Sequence, residues 1–116
     1  MGRSRWEQYN DIQELNNIIR NKGNEIEGNC LYKNNWPVKS WKTPFDPRTD
    51  TEDLCENLYK LGSISNNILE IGFNGGHSNV IFLLANPKAQ IVNFDLCNHD
   101  YSKPCFEYLK SKYNVH

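Results

Sequence analysis

Apolar residues recur every three to four positions from Trp6 through Tyr9, Ile12 and Leu15 to Ile18 and Ile19. That period predicts a single apolar stripe on a helix over residues 4–22. Ser4 followed by Glu7 has the form of a capping box, and Gly23 stands where such a helix ends. Residues 24–48 carry no period. Trp36, Trp41 and Phe45 are interspersed there with Pro37, Pro44 and Pro47, the composition of an extended connection anchored by its aromatics. A connection of this kind is either a loop pinned over the core or a lid over a ligand. A second helix is predicted over residues 50–61, with Thr49 and Glu52 spaced to cap it. Its Leu54, Leu58 and Leu61 face inward, and Gly62 closes it.

The pattern changes at residue 64. Residues 64–72 (ISNNILEIG) read as a strand ending at Gly72, and residues 76–86 as a helix stopped before Pro87. Residues 89–96 (AQIVNFDL) form a second strand with Ile91, Val92 and Phe94 apolar. A last helix covers residues 101–113, with Pro104 in its first turn. Tyr101, Cys105, Phe106, Leu109 and Tyr113 make its buried face. Strands linked by a helix are expected to be parallel and joined by a right-handed crossover. The chain therefore divides into a helical extension, residues 1–62, and an α/β part, residues 63–116. A third strand is expected to begin at KYNVH, the last five residues.

Composition narrows the class. With 116 residues and a 38% hydrophobic share, the chain supports one modest core. A formal charge of -1 gives no electrostatic case for nucleic acid or an anionic membrane. Cys30, Cys55, Cys97 and Cys105 form no CxxC pair, and scattered thiols of this kind read as small buried hydrophobes in a reducing compartment. The longest apolar run, Val80 to Ala85, is too short to span a bilayer, and no apolar signal segment opens the chain. Met1-Gly2 lacks the Ser or Thr at position 6 that myristoylation needs, since Trp6 is there, and no Asn lies in a glycosylation acceptor. The reading is a soluble cytoplasmic domain.

The chemistry concentrates between the two strands. In an open parallel sheet, ligands bind at the carboxyl edge of the strands beside the helix N-termini. Gly72 to Gly76 occupies that edge, where glycines permit positive φ and let a ligand approach the backbone. Asn74 is the next most tolerant residue for a left-handed conformation. The N–H groups opening the next helix favour a carboxylate or phosphate. Glu70 stands close to the first strand's tip, where an acid suits a ligand ammonium. Asp95 closes the second strand, where such folds accept the hydroxyls of a ribose. The two acids describe a ligand with an amino-acid-like end and a nucleoside end.

LEIGFNGGHS followed by IVNFDL resembles motifs I and II of class I S-adenosylmethionine-dependent methyltransferases. The family's first motif is an acid, any residue, then glycines at alternating positions; here those are Glu70, Gly72, Asn74 and Gly76. Asn74 replaces a usual glycine, with Gly75 beside it, and the loop is similar to methyltransferase-like variants reading Gly-Phe-Asn-small-Gly-His-Ser. The residues after the second strand, HDYSKPCFEYLKSKY, resemble the same group. The resemblance spans residues 64–113 and implies a Rossmann-like fold with S-adenosyl-L-methionine as cofactor. It implies that Gly72, Phe73, Asn74, Gly75 and Gly76 line the methionine part and Glu70 supports the amino group. Asp95, with Leu96 beside it, would bind the ribose. His77 and Ser78 open the helix, either capping it or reaching the ligand carboxylate.

Competing readings are poorer. A dinucleotide fingerprint counted from Gly72 fails at Asn74 and His77, and a P-loop needs a lysine that this turn lacks. Asp95, Cys97, His99 and Asp100 crowd six positions without the spacing of a preformed metal site, so no metal is assigned. Cys97 and His99 lack an orienting third group for a nucleophile pair. The family implies a sheet of seven strands on about twice this length, so the parallel sheet here reads as incomplete. Its later strands supply the acceptor pocket, and two strands alone leave unpaired edges that a protein partner or a second copy would cover. The expected function is a methyltransferase or its cofactor-binding part, with acceptor and catalytic residues unassigned, active if the chain belongs to or pairs into a complete domain. The alternative is a non-catalytic relative acting as a structural or partner-binding subunit through the sheet edge and the Trp36–Trp41 segment.

Overall fold

A computed structural model of the chain describes residues 5–23 and 49–116, with side chains in the second span from Glu52 onward. Ser4, Cys30, the Trp36–Trp41 segment and the side chain of Thr49, which figure in the expectations above, lie outside the described residues. The described elements are a short 3-10 helix Arg5–Gln8, α1 Asn10–Asn21, α2 Thr49–Ser63, β1 Asn67–Ile71, α3 His77–Ala85, β2 Gln90–Phe94 and α4 Ser102–Lys112. The architecture is α/β, with β1 and β2 paired in parallel and α3 as their link. It is compatible with part of a Rossmann-like sheet. Among the described residues no helix is long and apolar enough to cross a membrane.

The first predicted helix is broken in two. Tyr9 is extended, with φ -67° and ψ 139°, and separates the 3-10 turn from α1. The break lets Trp6 leave the α1 stripe and bury itself against α2, where its Nε1–H donates to Glu52 Oε2 at 3.1 Å and its ring meets Tyr59 at 5.7 Å. Arg5 pairs with Glu56 beside it. Tyr9 itself is exposed. Beyond the break the stripe holds, with Ile12, Leu15 and Ile19 buried.

Helix α2 runs through Gly62 instead of ending at it. A Cβ on Gly62 would stand 2.8 Å from the Phe82 carbonyl oxygen, so this glycine brings α2 against α3. Leu61, expected inside, is exposed, and the turn after α2 is fastened by Ser65 Oγ donating to the Leu61 carbonyl. Helix α1 packs on α3 and α4, so one buried cluster runs from Trp6 to Val115 across both parts of the chain. Cys55 and Cys105 belong to it, and Cys97 is exposed. Burial pushes the Cys105 thiol up to about 12.

The sheet meets this cluster with one face. Ile68 and Ile91, paired in register, point into it. Leu69, Ile71 and Phe94 alternate to the opposite face and are 62%, 82% and 62% exposed. The outer edge of β2 is paired by the last residues: Ile91 N–H donates to the Asn114 carbonyl at 3.0 Å, His116 N–H to Ile91 at 2.8 Å and Asn93 N–H to His116 at 2.7 Å. Val115 thus starts a third parallel pairing where the sequence predicts one.

Helices α1 and α4 are joined by a single carboxylate. Asp11 accepts from Tyr108 Oη at 2.6 Å, from Lys112 Nζ at 2.6 Å and from Tyr113 Oη. Burial pushes the Asp11 carboxyl up, but the bonds from Lys112, Tyr108 and Tyr113 outweigh it, and its pKa falls below the ordinary value. The same contact raises Lys112.

Candidate functional site

The turn from β1 into α3 is built for a left-handed path. Gly72 and Gly76 have φ of 92° and 90°, and Asn74, the one side-chain-bearing residue of this turn in that region, has φ 54°. At Gly76 a Cβ would meet Phe73 and Leu109, so the position is closed by packing. At Gly72 a Cβ would meet nothing within 4 Å among the described residues. The two glycines therefore serve different ends: Gly76 seats the loop on the core, and Gly72 leaves its upper surface open.

Across from Gly72 stands Asp95, the residue after β2. Its Oδ2 accepts the Asn74 N–H at 2.7 Å, and its Oδ1 accepts the Cys97 N–H, also at 2.7 Å. The carboxylate thus fastens the glycine turn to the loop after β2, and each oxygen keeps a further lone pair for a ligand. Tyr101, buried at the start of α4, donates from its hydroxyl to Asn74 Oδ1 at 3.1 Å. His99 stacks on the Tyr101 ring, with centroids 5.0 Å apart and planes at 10°.

These residues frame an open pocket of about 570 Å³ at the carboxyl edge of the sheet. Of the residues singled out from sequence, Gly72, Asn74, Asp95 and Leu96 line it. Ile71, Phe94, Asn98 and His99 line it as well. Sequence reasoning did not assign them to the ligand. Ile71 and Phe94 are register partners at the strand tips, so the strand pairing was the signal that could have found them. A pocket of this size lies in the range of small-molecule sites, roughly 300–1,000 Å³. A smaller one of about 240 Å³ lies across Asp95 toward Phe106 and His116.

The remaining candidates sit beneath the turn. Phe73 is buried with its ring edge-on to Phe106 at 5.9 Å. Gly75 is also buried, and a Cβ there would crowd the His77 ring and Ile19. His77 is in the core, its Nε2 donating to Asn16 Oδ1 at 2.8 Å, and burial drives its pKa down to about 3. It is therefore a neutral strut between α3 and α1 at ordinary pH. Helix α3 is capped by Gly76 with no side-chain bond, so neither His77 nor Ser78 caps it.

Glu70 points to the covered face of the sheet, opposite to Ile71. Its Oε2 accepts from Asn79 Nδ2 at 3.0 Å. Asn79 is fully buried and forms a reciprocal amide pair with Asn93, both bonds being 2.9 Å. Burial raises the Glu70 pKa to about 7 against a lowering by the Asn79 bond. Among the described residues no group of three or more His, Cys, Asp or Glu side chains is arranged to hold a metal ion.

No family model, curated protein or solved structure matches this chain.

Proposed function

We infer that this chain is the S-adenosylmethionine-binding part of a methyltransferase, with the methyl acceptor unassigned. One observation carries the reading: Asp95 and the Gly72–Asn74 turn face each other across one pocket and are hydrogen-bonded through the Asn74 amide. That arrangement suits a nucleoside whose ribose hydroxyls bond a carboxylate while the rest of the ligand crosses an unobstructed glycine. Ile71, Phe94 and Leu96 add an apolar wall, and His99 a polar one. The bound cofactor would supply the activated methyl group, and the part played by these residues is to bind and orient it.

Calorimetric titration with S-adenosylmethionine and S-adenosylhomocysteine tests this. Binding that weakens at least tenfold in Asp95→Ala and in Gly72→Val supports it. A folded wild-type chain with no affinity for either compound overturns it, and affinity that survives both substitutions overturns the site. A second reading, a partner-binding subunit without catalysis, is favoured by the exposed Leu69–Ile71–Phe94 face, since apolar patches of this kind mark contact surfaces. Solution mass decides that point: a monomer at all concentrations counts against self-association.

A further inference from the structure

The glycine turn is framed by three polar side chains that do not line its pocket. Glu70 is two residues before Gly72, Asn79 is in the first turn of α3, and Asn93 is two residues before Asp95. We propose that Asn79 is a positioning residue of the pocket: through Glu70 and Asn93 it holds the Gly72–Asn74 turn in register with Asp95. This inference deepens the functional reading above and rests on it for the identity of the ligand.

The orientation of each amide is fixed by its neighbours. Asn93 Nδ2 donates both to the His116 carbonyl at 3.2 Å and to Asn79 Oδ1 at 2.9 Å, so Asn93 must turn its oxygen toward Asn79. Asn79 Nδ2 then has one proton for Asn93 Oδ1 and one for Glu70 Oε2. All four amide protons are used, and Asn79 offers Glu70 a donor and no acceptor. The three bonded residues lie on β1, α3 and β2, so the brace ties the entry of the turn, its exit and the strand that leads into Asp95. Above it, the Asn74 N–H bond to Asp95 Oδ2 closes the same frame from the pocket side.

The brace responds to the proton on Glu70. A carboxylate accepts the Asn79 N–H more strongly than a neutral acid does. Among the described residues Glu70 is hydrogen-bonded by Asn79 from α3 and faces its register partner Asn93 on β2, both uncharged. The titratable residue of α3, His77, is engaged with Asn16 of α1. Among the described residues no charged side chain contributes to the Glu70 shift, which comes from burial opposed by Asn79. The Asn74–Asp95 bond should therefore tighten as pH rises through neutrality.

Amide hydrogen exchange on the full chain tests this, with the protection factor of the Asn74 N–H corrected for intrinsic rate. In the wild type it is expected to rise severalfold between pH 6 and pH 8. Glu70→Gln should make it flat over that range. Asn79→Leu, matched in size but lacking the amide, should lower Asn74 protection about tenfold while α4 amides keep theirs. Asn93→Leu repeats the test should Asn79→Leu not fold. A folded Asn79→Leu or Asn93→Leu chain with wild-type Asn74 protection overturns the proposal, as does a pH step that persists in Glu70→Gln. S-adenosylhomocysteine affinity should follow the Asn74 protection in each variant. If the wild type binds none, the functional reading fails, and the exchange data still decide the brace.

Discussion

The two faces of the sheet invert the usual distribution of polarity. The covered face presents Glu70 and Asn93 to the helices beside Ile68 and Ile91, and the open face presents Leu69, Ile71 and Phe94 to solvent. Strands of a parallel sheet are ordinarily buried on both sides and apolar throughout. Here the buried side gives up apolar contact to hold a hydrogen-bonded brace, and the apolar side has no helix against it among the described residues. The difference separates two roles. The covered face fixes the geometry of the glycine turn, and the open face continues into the pocket wall through Ile71, Phe94 and Leu96.

The sharpest way to break this contrast is to truncate one residue on each side. Ile91→Ala should destabilise the chain by about 2–5 kcal/mol in urea unfolding. Phe94→Ala, only three residues away, should cost less than about 1 kcal/mol. Equal losses would mean that the open face is covered in solution. Next in size is the pH dependence of the covered face. The Glu70 pKa in the folded chain, about 7, is raised above its ordinary 4.5. Its contribution to global stability is thus complete below pH 4.5 and lost as pH rises through 7, while the single Asn79 bond that braces the turn strengthens. Global unfolding and local opening at Asn74 therefore respond to pH in opposite senses. Glu70→Gln should gain up to about 3 kcal/mol over the wild type above pH 7 relative to their difference below pH 4.5, measured by unfolding at both pH values. Gly62→Ala, which drives a methyl into the Phe82 backbone, should cost about 1–3 kcal/mol. The smallest effect belongs to the open face again: Leu69→Lys should change stability by no more than about 0.5 kcal/mol.

Much of this organisation was legible in the residues. β1, α3, β2 and α4 fall within the predicted spans, because apolar period and glycine or proline punctuation agree for them. The opening helix was misread because Trp6 fits the α1 period by spacing yet gains more from Glu52 and Tyr59 of α2, a tertiary preference invisible to periodicity. Gly62 was read as a stop because glycine commonly ends helices; only the packing partner reveals it as a contact. For the site, the opposition of Asp95 to the glycine turn followed from strand order. That Glu70 turns toward the helices follows from strand alternation, since Ile71 next to it faces the pocket. Asn79 and Asn16 were missed because a polar residue at a buried position carries no period of its own. For Asn16 the inward placement was nonetheless encoded, since it lies four positions after Ile12 on the α1 stripe.

The Asp11 cluster has a kinetic side. Its three partners, Tyr108, Lys112 and Tyr113, lie 97, 101 and 102 residues further along the chain. Contacts so distant in sequence close nearly the whole polypeptide into a ring, and their entropic toll delays them until local structure has formed. Asp11→Asn should therefore leave the folding rate almost untouched and speed unfolding roughly tenfold or more, as stopped-flow measurements would register. The carboxylate acts as a latch on a finished molecule: it governs how long the native state persists more than how soon it is reached.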